Sequence, residues 1–303
     1  MEREGMRAMT NLVGMIGLGI MGGAMSANLV AAGWRVLGFD PDAARQAEAA
    51  AGGVEIRPSL QAVAAEAPVL ITSLPGPAAL HATAAALAAA GLPKRVVVET
   101  STLALADKDE AARILSAAGH VALDCPLSGT GAQARVKDLI VYASGDAAEI
   151  AALQPLFMAF AKEAHDVGAH GNGSRMKFVA NLLVAIHNVA AAEAMVLGMQ
   201  AGLDPHQMVR LIAPGAGGSR MFQLRGPMMA EGRYEPPTMR ISTWQKDMAV
   251  IADFAAAVGA PTPLLAASAP IYDAALAAGQ GGQDTASVCA VLERMAGLAP
   301  RGA

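Results

Sequence analysis

A short glycine-rich turn near the beginning of the chain constrains the fold more than any other feature. The turn reads GLGIMG over residues 17–22, and it follows Leu12–Ile16, an apolar stretch with the length of one β-strand. Residues 21–32 then have the periodicity of a helix, and Arg35–Phe39 is a second apolar strand. A lone GxGxxG motif is weak, but this strand, turn, helix and strand within about 30 residues predict a βαβ unit that binds a dinucleotide.

The glycines of this turn have separate predicted roles. Gly17 permits the tight bend, Gly19 lets backbone amides approach a pyrophosphate, and Gly22 lets the helix pack closely, so that the anion lies on the positive N-terminus of the helix. Asp40 ends the second strand 18 residues after Gly22, and its carboxylate is predicted to accept hydrogen bonds from the adenosine ribose. The alternative role of Asp40 is to cap an Asp-Pro turn. The predicted cofactor contacts of this unit are Gly17, Leu18, Gly19, Ile20, Met21, Gly22 and Asp40.

Strands and helices continue to alternate beyond this unit. Further apolar strands are predicted at residues 69–73, 95–99 and 120–124, with helices at 78–90 and 107–118. The alternation predicts a parallel, doubly wound sheet, which binds ligands at the carboxyl ends of its strands. The residues at those ends that we predict to line the cofactor site are Leu74, Pro75, Ser101 and Thr102. Helix capping is the alternative role of this serine and threonine.

A second glycine-rich loop follows the strand that ends at Asp124. It reads Ser128-Gly129-Thr130-Gly131, and another strand is predicted after it at residues 139–143. Hydroxyl groups and unhindered backbone amides in such a loop can bind a carboxylate. A glycine-rich loop without any ligand is the alternative interpretation.

The second half of the chain has the pattern of a helical domain. The strand pattern ends at Gly173, and one long helix is predicted over residues 174–203, capped by Ser174 and stopped by Gly202. Shorter helices are predicted at residues 204–212, 219–230, 241–258, 263–278 and 285–296. The sequence therefore predicts an N-terminal Rossmann domain over residues 1–172, with a doubly wound α/β sheet, and an all-α C-terminal domain over residues 173–303.

One side chain in the long predicted helix is unexpected. Apolar residues recur there at spacings of three and four and predict a buried stripe, namely Met176, Val179, Leu183, Ile186 and Ala190. Lys177 and Asn181, four residues apart, are predicted to share that stripe. A lysine is rarely buried without a partner or a function, although its alternative is to extend to solvent from the first turn of the helix.

Composition and charge exclude several classes of protein. Hydrophobic residues make up 54% of the 303, but no uninterrupted apolar run reaches the ~18 residues of a membrane-spanning helix. The first ten residues, MEREGMRAMT, have no apolar core and do not predict a signal peptide. A net charge of −4 disfavours nucleic acid as a partner. Two cysteines without metal-ligand spacing favour the cytoplasm, and the histidine pattern predicts no metal site.

Five motifs in a fixed order resemble the β-hydroxyacid dehydrogenase family, specifically its 3-hydroxyisobutyrate dehydrogenase group. They are GLGIMGGAMSANL, ETST at residues 99–102, DCPLSGTGA at 124–132, GNGSRMKFVAN at 171–181, and Lys246-Asp247. The likeness extends over residues 13–295. DTASVCAVLE at residues 284–293 and GSRMFQLRGPMM at 218–229 more weakly resemble the threonate-type branch.

The resemblance implies roles for individual residues. Lys177 matches the catalytic lysine, whose pKa can fall from ~10.4 towards ~7–8 when it is removed from water, and Asn181 matches a residue that holds the substrate. Substrate-carboxylate positions of the family match Ser128, Gly129 and Thr130, and positions near the nicotinamide match Thr102 and Lys246. Three departures leave the substrate open: Thr130 and Lys137-Asp138 stand where glycine is usual, and Ala180 stands where asparagine is usual.

The family resemblance also implies an activity. We expect an enzyme, a homodimer or homotetramer, that interconverts a small carboxylate-bearing 3-hydroxy acid (3-hydroxyisobutyrate, glycerate or threonate) and its oxo acid or semialdehyde. Asp40-Pro41 indicates NAD, and NADP is less favoured because members that use it usually carry Asn-Arg there and Arg45 lies a helical turn further on. The alternatives are an imine reductase of the same fold, a branch that generally lacks the lysine, and a non-catalytic dinucleotide-binding protein. The 6-phosphogluconate dehydrogenases share the plan but are much longer.

Overall fold

The computed structural model describes residues 11–299 and 301, and the chain divides into two compact units. The first unit ends at Lys177 and the second begins at Phe178, inside one continuous helix. The sequence predicted the boundary between residues 172 and 173, which are the first two residues of that helix. The N-terminal segment MEREGMRAMT lies outside the described residues.

The first unit is built on a six-stranded parallel sheet with the order β3-β2-β1-β4-β5-β6. Its elements are β1 (Leu12–Ile16), α1 (Ile20–Ala31), β2 (Arg35–Phe39), α2 (Ala43–Ala51), β3 (Glu55–Ile56), α3 (Leu60–Glu66), β4 (Val69–Thr72), α4 (Pro77–Ala89), β5 (Val96–Glu99), α5 (Leu105–Ala117) and β6 (Val121–Asp124). In the register of the sheet Ile16 faces both Phe39 and Thr72, so neighbouring strands end at the same edge. The predicted doubly wound α/β fold is confirmed.

The sheet is buried on both faces, which explains why its strands are continuous apolar runs rather than alternating ones. Along β1, Val13 and Met15 belong to one apolar core and Ile16 to the other. Along β4, Ile71 belongs to the first core and Leu70 to the second. Successive side chains of a strand point to opposite faces, so each strand supports both cores.

A smaller sheet follows in the same unit. Its elements are β7 (Leu127–Ser128), α6 (Gly131–Arg135), β8 (Ile140–Ala143), α7 (Ala147–Ala152), α8 (Gln154–Phe160) and β9 (Glu163–Asp166). The strand predicted at 139–143 is present as β8, but it pairs antiparallel with β7 and parallel with β9 rather than extending the large sheet. Strand β9 was not predicted, because Glu-Ala-His-Asp has no apolar alternation and its side chains are half-buried or exposed.

The second unit is helical, as predicted. The long helix is α9 (Asn172–Gln200), followed by α10 (Pro205–Ile212), α11 (Arg220–Glu231), α12 (Ile241–Ala257), α13 (Pro263–Ala277) and α14 (Val288–Met295). The first turn of the helix predicted at 285–296 is a 3-10 turn, Thr285–Ser287. The main error concerns Ser174, which lies inside α9 rather than at its cap.

The buried face of α9 differs from the predicted one. Met176, Val179 and Leu183 are 44%, 54% and 48% exposed, so the prediction of a buried apolar stripe through them was wrong. The buried stripe lies beside it and consists of Ser174, Lys177, Phe178, Asn181, Ala185, Asn188, Val189, Ala192 and Met195. Both stripes have helical spacing, and alanine is common on each, so periodicity alone could not decide between them.

Among the described residues, α9 is the one helix that is long and apolar enough to cross a membrane. Its mean hydropathy is 1.7 over the relevant window, yet 44% of that window is buried within the structure. Asn188 on its buried face donates hydrogen bonds to the Tyr272 hydroxyl (3.0 Å) and the Thr285 carbonyl (2.8 Å). These contacts are those of a core helix in a folded domain.

Candidate active site

The turn between β1 and α1 has the geometry that a nucleotide-binding loop requires. Gly17 has φ +91°, and a Cβ there would collide with the carbonyl oxygen of Ser73. A Cβ on Gly22 would collide with the carbonyl of Gly17, so helix and turn are in direct contact. Around Gly19 nothing lies within 4 Å of the position that a Cβ would take. The loop therefore leaves open space beside its second glycine, where a diphosphate can approach the backbone.

The N-terminus of α1 is suited to an anion. The helix begins at Ile20 after Gly19, without a side-chain cap and without an acidic residue in its first turn. The first amides of a helix have no partner within it, and the helix dipole makes this end positive. The amides of Ile20, Met21 and Gly22 would thus hold the pyrophosphate, and the structure fits a bound dinucleotide at this loop.

Asp40 lies next to this loop, because the backbone amide of Leu18 donates to its Oδ2 at 2.7 Å. The amide of Asp42 donates to Oδ1 at 2.9 Å, and the side chain of Gln46 donates to the Asp40 carbonyl at 2.6 Å. A carboxylate offers about four acceptor positions, so two bonds leave capacity for ribose hydroxyls. The Leu18 amide is occupied by Asp40, which ties the end of β2 to the glycine turn.

The loops after β4 and β5 are joined by predicted cofactor-lining residues. The Leu74 amide donates to the Ser101 hydroxyl at 2.8 Å, and Ser101 is buried. Ser101 and Thr102 do not cap a helix, since α5 begins at Leu105 after Ala104, so the capping alternative is wrong for both. Pro75 is exposed and Thr102 half-buried at the same edge of the sheet. Leu74, Pro75, Ser101 and Thr102 thus lie where parallel sheets bind their ligands.

The second glycine-rich loop leads from β7 into α6. Ser128 pairs with Ile140 in the small sheet, and Gly129 has φ +137°. Thr130 donates to Gln133 Oε1 from its amide (3.0 Å) and from its hydroxyl (3.3 Å). The side chain of Gln133 in turn donates to Asp138 at 3.0 Å. The threonine that departs from the family pattern therefore fixes the start of α6.

Lys177 and Asn181 both lie on the buried face of α9, with 8% and 5% exposure. Within the second unit, Asn181 Nδ2 donates to Asp247 Oδ2 at 3.1 Å. Lys246 Nζ lies 3.3 Å from Asp247 Oδ1. Asp247 is therefore a carboxylate that links two predicted site residues, and it was not among the predicted ones. The available signal was its position directly after Lys246 in a helix whose next residues are apolar.

In the described part of the chain, no group of three or more His, Cys, Asp or Glu side chains is arranged to bind a metal ion. Both cysteines are buried thiols. Burial raises the pKa of the Cys289 thiol to about 12, so it is protonated at neutral pH.

Comparison with known proteins bears on this arrangement. Residues 12–171 match the family model described as the NAD binding domain of 6-phosphogluconate dehydrogenase. Residues 171–292 match the model described as NAD-binding of NADP-dependent 3-hydroxyisobutyrate dehydrogenase. The L-threonate dehydrogenase of Cupriavidus necator is 32% identical over 286 residues, covering 92% of this chain and 95% of that protein.

The chain belongs to the β-hydroxyacid dehydrogenase family.

A solved structure of a β-hydroxyacid dehydrogenase has the same fold. The Mycobacterium tuberculosis 3-hydroxyisobutyrate dehydrogenase, solved with L-serine, matches with a TM-score of 0.85 and 31% identity, covering 94% of this chain and 99% of that one. An imine reductase from Streptomyces aurantiacus matches with a TM-score of 0.64 and 19% identity, over 93% and 99% of the two chains, which shows a shared fold alone. The protein is an NAD(P)-dependent oxidoreductase, and as a β-hydroxyacid dehydrogenase it acts on hydroxy acids.

Proposed function

We propose that the protein is an NAD-dependent dehydrogenase for a small 3-hydroxy acid of the 3-hydroxyisobutyrate, glycerate or threonate type, with Lys177 as general acid/base. The observation that carries the proposal is a lysine on the buried face of α9, one turn before a buried asparagine. Burying an amine is costly, and a position that retains one generally has a partner or a chemical task.

Lys177 would act as the general base in oxidation and as the general acid in reduction. When bound, the nicotinamide accepts or donates the hydride at the carbinol carbon of the substrate. During oxidation, Lys177 Nζ takes the proton from the substrate hydroxyl, and during reduction it returns a proton to the alkoxide oxygen. Asn181 adds no charge, and Asp247 fixes its amide by accepting from Nδ2, which leaves Oδ1 available to a substrate hydroxyl or an amine.

The choice of NAD rests on the charge beside the ribose. Asp40 would repel a 2′-phosphate and accept bonds from ribose hydroxyls. Arg45, the cation that could compensate, forms an ion pair with Glu48 at 3.0 Å on the exposed surface of α2. Together these charges favour NAD over NADP.

The carboxylate of the substrate is proposed to bind at residues 128–130. Thr130 already donates its amide and hydroxyl to Gln133, so the donors assigned to the substrate are the Ser128 hydroxyl and the backbone of Gly129. A glycine with φ +137° turns its amide in a direction that other residues rarely adopt, which supports a role in anion binding.

The expected homodimer or homotetramer gains support from α9. Met176, Val179 and Leu183 form an exposed apolar stripe with spacings of three and four, the pattern of a helix that packs against another helix. A cytoplasmic location stays a prediction.

The decisive experiment is a spectrophotometric screen of hydroxy acids, semialdehydes and one cyclic imine with NAD(H) and NADP(H). We expect turnover of at least one small 3-hydroxy acid with NAD. In Lys177→Ala, kcat should fall roughly 10²–10⁴-fold while the Kd for NADH stays within about twofold. Arg175→Ala is the matched control, because it removes an exposed cation two residues earlier on the same helix. Wild-type turnover by Lys177→Ala, or reduction of the imine without any hydroxy acid activity, would contradict the proposal.

A further inference from the structure

A buried ion cluster lies beneath the proposed cofactor edge of the first unit. Lys108 of α5 places its Nζ 2.6 Å from Asp124 Oδ1 and 2.7 Å from Glu99 Oε2. The side chains of Lys108, Asp124 and Glu99 are 2%, 0% and 10% exposed. A lysine between two buried carboxylates is expensive to desolvate, and an apolar replacement is often as stable. A contribution to the stability of the sheet therefore does not by itself explain why these three charged residues are buried together.

One side of the cluster holds the beginning of α9. Asp124 Oδ2 accepts from the Ser174 amide at 2.7 Å, and Oδ1 accepts from the Ser174 hydroxyl at 2.9 Å. The Gly173 amide donates to the Ser144 hydroxyl at 3.0 Å, and that hydroxyl donates to the Asp124 carbonyl at 3.0 Å. Lys177 follows Ser174 by three residues, about 4.5 Å along the helix axis. The position of Lys177 along the helix axis, and the direction in which its side chain leaves the helix, therefore depend on the hydrogen bonds between Ser174 and Asp124.

The other side of the cluster holds the loops at the carboxyl ends of β4 and β5. Glu99 Oε1 accepts from the Ser101 amide at 2.9 Å. The Ser101 hydroxyl accepts from the Leu74 amide at 2.8 Å. Leu74 and Ser101 are the residues predicted to line the cofactor site. Lys108 thus joins the carboxylate of this side, Glu99, to the carboxylate that anchors α9, Asp124.

The charges within the cluster reinforce one another. Burial lowers the pKa of Lys108, but the charges of Glu99 and Asp124 outweigh that effect and raise the pKa above its ordinary value. Burial raises the pKa of Asp124, but Lys108 and the hydrogen bonds from Ser174 bring it below its ordinary value. At neutral pH the lysine is a cation and the aspartate an anion, so the link is charge-assisted and short.

We propose that Lys108 is a positioning residue for the reaction. It fixes the start of α9, and with it Lys177, relative to the loops at residues 74–75 and 101–102 where the cofactor is proposed to bind. The inference rests on the proposed role of Lys177 as general acid/base. Its consequence is that removing the Lys108 charge misplaces the amine relative to the reacting carbon, even where the protein stays folded.

The test compares Lys108→Met with Lys108→Arg in the intact enzyme. Displacements of the order of 1 Å at reacting groups can cost about 10²-fold in rate, so kcat should fall roughly 10–100-fold in Lys108→Met while KM for the hydroxy acid changes less than about threefold. The deuterium isotope effect on kcat, measured with substrate deuterated at the carbinol carbon, should rise as the chemical step becomes limiting. Lys108→Arg keeps the charge and should recover a substantial part of kcat.

Arg225→Met is the matched control. It breaks a buried ion pair of the same kind, Arg225 with Asp284 at 3.1 Å, in the second unit, and so lowers stability without touching the cluster. A purely structural role for Lys108 predicts that both variants lose Tm alike and keep wild-type kcat well below Tm. A kcat for Lys108→Met within twofold of wild type would overturn the inference.

Two further variants separate the possible failures. If Lys177→Ala retains full kcat, the proposed function is wrong; if Lys177→Ala loses kcat and Lys108→Met does not, only the positioning role is wrong. Should Lys108→Met fail to fold, Ser174→Ala decides, because it removes one bond to Asp124 and keeps the backbone bond. We expect Ser174→Ala to lower kcat at least about threefold at nearly unchanged Tm, and wild-type kcat in this variant would overturn the inference.

Discussion

Replacing Asp40 by asparagine should shift the cofactor preference of the enzyme towards NADPH. Two unit charges about 4 Å apart interact by ~1 kcal/mol in water and ~4 kcal/mol near a protein surface. Asp40 is partly exposed, so about 1–2 kcal/mol of repulsion against a 2′-phosphate is expected. Removing this repulsion should lower the ratio of Kd for NADPH to Kd for NADH by roughly 5–30-fold.

The same substitution also disturbs the loop, and the assay must separate the two effects. Both carboxylate oxygens of Asp40 accept from backbone amides, of Leu18 and of Asp42. Asparagine offers one oxygen and one NH₂ group, so one of these amides faces a donor, at a cost of about 1–3 kcal/mol. That cost weakens both cofactors alike and cancels in the ratio of their dissociation constants. Nicotinamide fluorescence titrations with NADH and NADPH measure the ratio without any knowledge of the substrate.

Asp42→Asn provides the matched control for this prediction. Asp42 is exposed, and its side chain accepts from the Ala44 amide at 2.8 Å as the cap of α2. Asparagine caps a helix about as well as aspartate, so the variant removes one negative charge two residues away and keeps the local structure. The ratio should change less than about twofold, because exposed charges at a distance are screened. An equal change in both variants, or tighter binding of NADPH than NADH by the wild type, would refute the role assigned to Asp40.

Three further outcomes are expected. Ser128→Ala should lower kcat/KM for a hydroxy acid by about tenfold or more and leave its poor methyl ester unaffected, and equal losses for acid and ester in steady-state assays would place the carboxylate elsewhere. Arg225→Met should lower the free energy of unfolding in urea by roughly 3–5 kcal/mol at pH 7, because it leaves Asp284 buried without its cation. Burial raises the pKa of Asp284, but Arg225 and Thr238 lower it below its ordinary value. The difference between the two proteins should therefore be largest near neutral pH and be lost as the pH falls through the lowered value; a difference independent of pH would contradict the assignment. Leu183→Glu should shift the mass measured by light scattering towards the monomer, whereas Leu264→Glu, at a likewise exposed position on α13, should leave it unchanged.

The strands of the large sheet could be predicted closely because each is a short apolar run between turn residues. The bounds of β1 and β2 agree with the predicted ones, and the helices of the second unit begin and end within three residues of expectation. The small sheet was largely missed, since β7 has two residues and β9 carries mostly polar side chains. Their pairing depends on contacts with β8, which local periodicity cannot indicate.

In the candidate site, too, features set by residues close in sequence could be predicted, and features set by residues distant in sequence could not. The open space at Gly19 and the position of Asp40 follow from a motif whose residues are close in sequence. Lys108, by contrast, lies in a helix reading LADKDEAARIL, where a lysine is ordinarily a solvent-exposed residue. Its burial is decided by Glu99 and Asp124, residues of two strands, so only the folded structure could identify it.

The helix that carries Lys177 is held by carboxylates on both sides of that residue. Asp124 of the first unit bonds Ser174, three residues before it, and Asp247 of the second unit bonds Asn181, four residues after it. The two anchored positions are seven residues apart, about 10.5 Å of helix, and the amine lies between them. Each carboxylate also contacts a lysine, Lys108 or Lys246, so charge-assisted bonds fix α9 at both points. An acid/base group must be held at near-attack distance while its own side chain stays able to exchange a proton. Anchoring α9 at Ser174 and Asn181, on either side of Lys177, meets the first of these requirements.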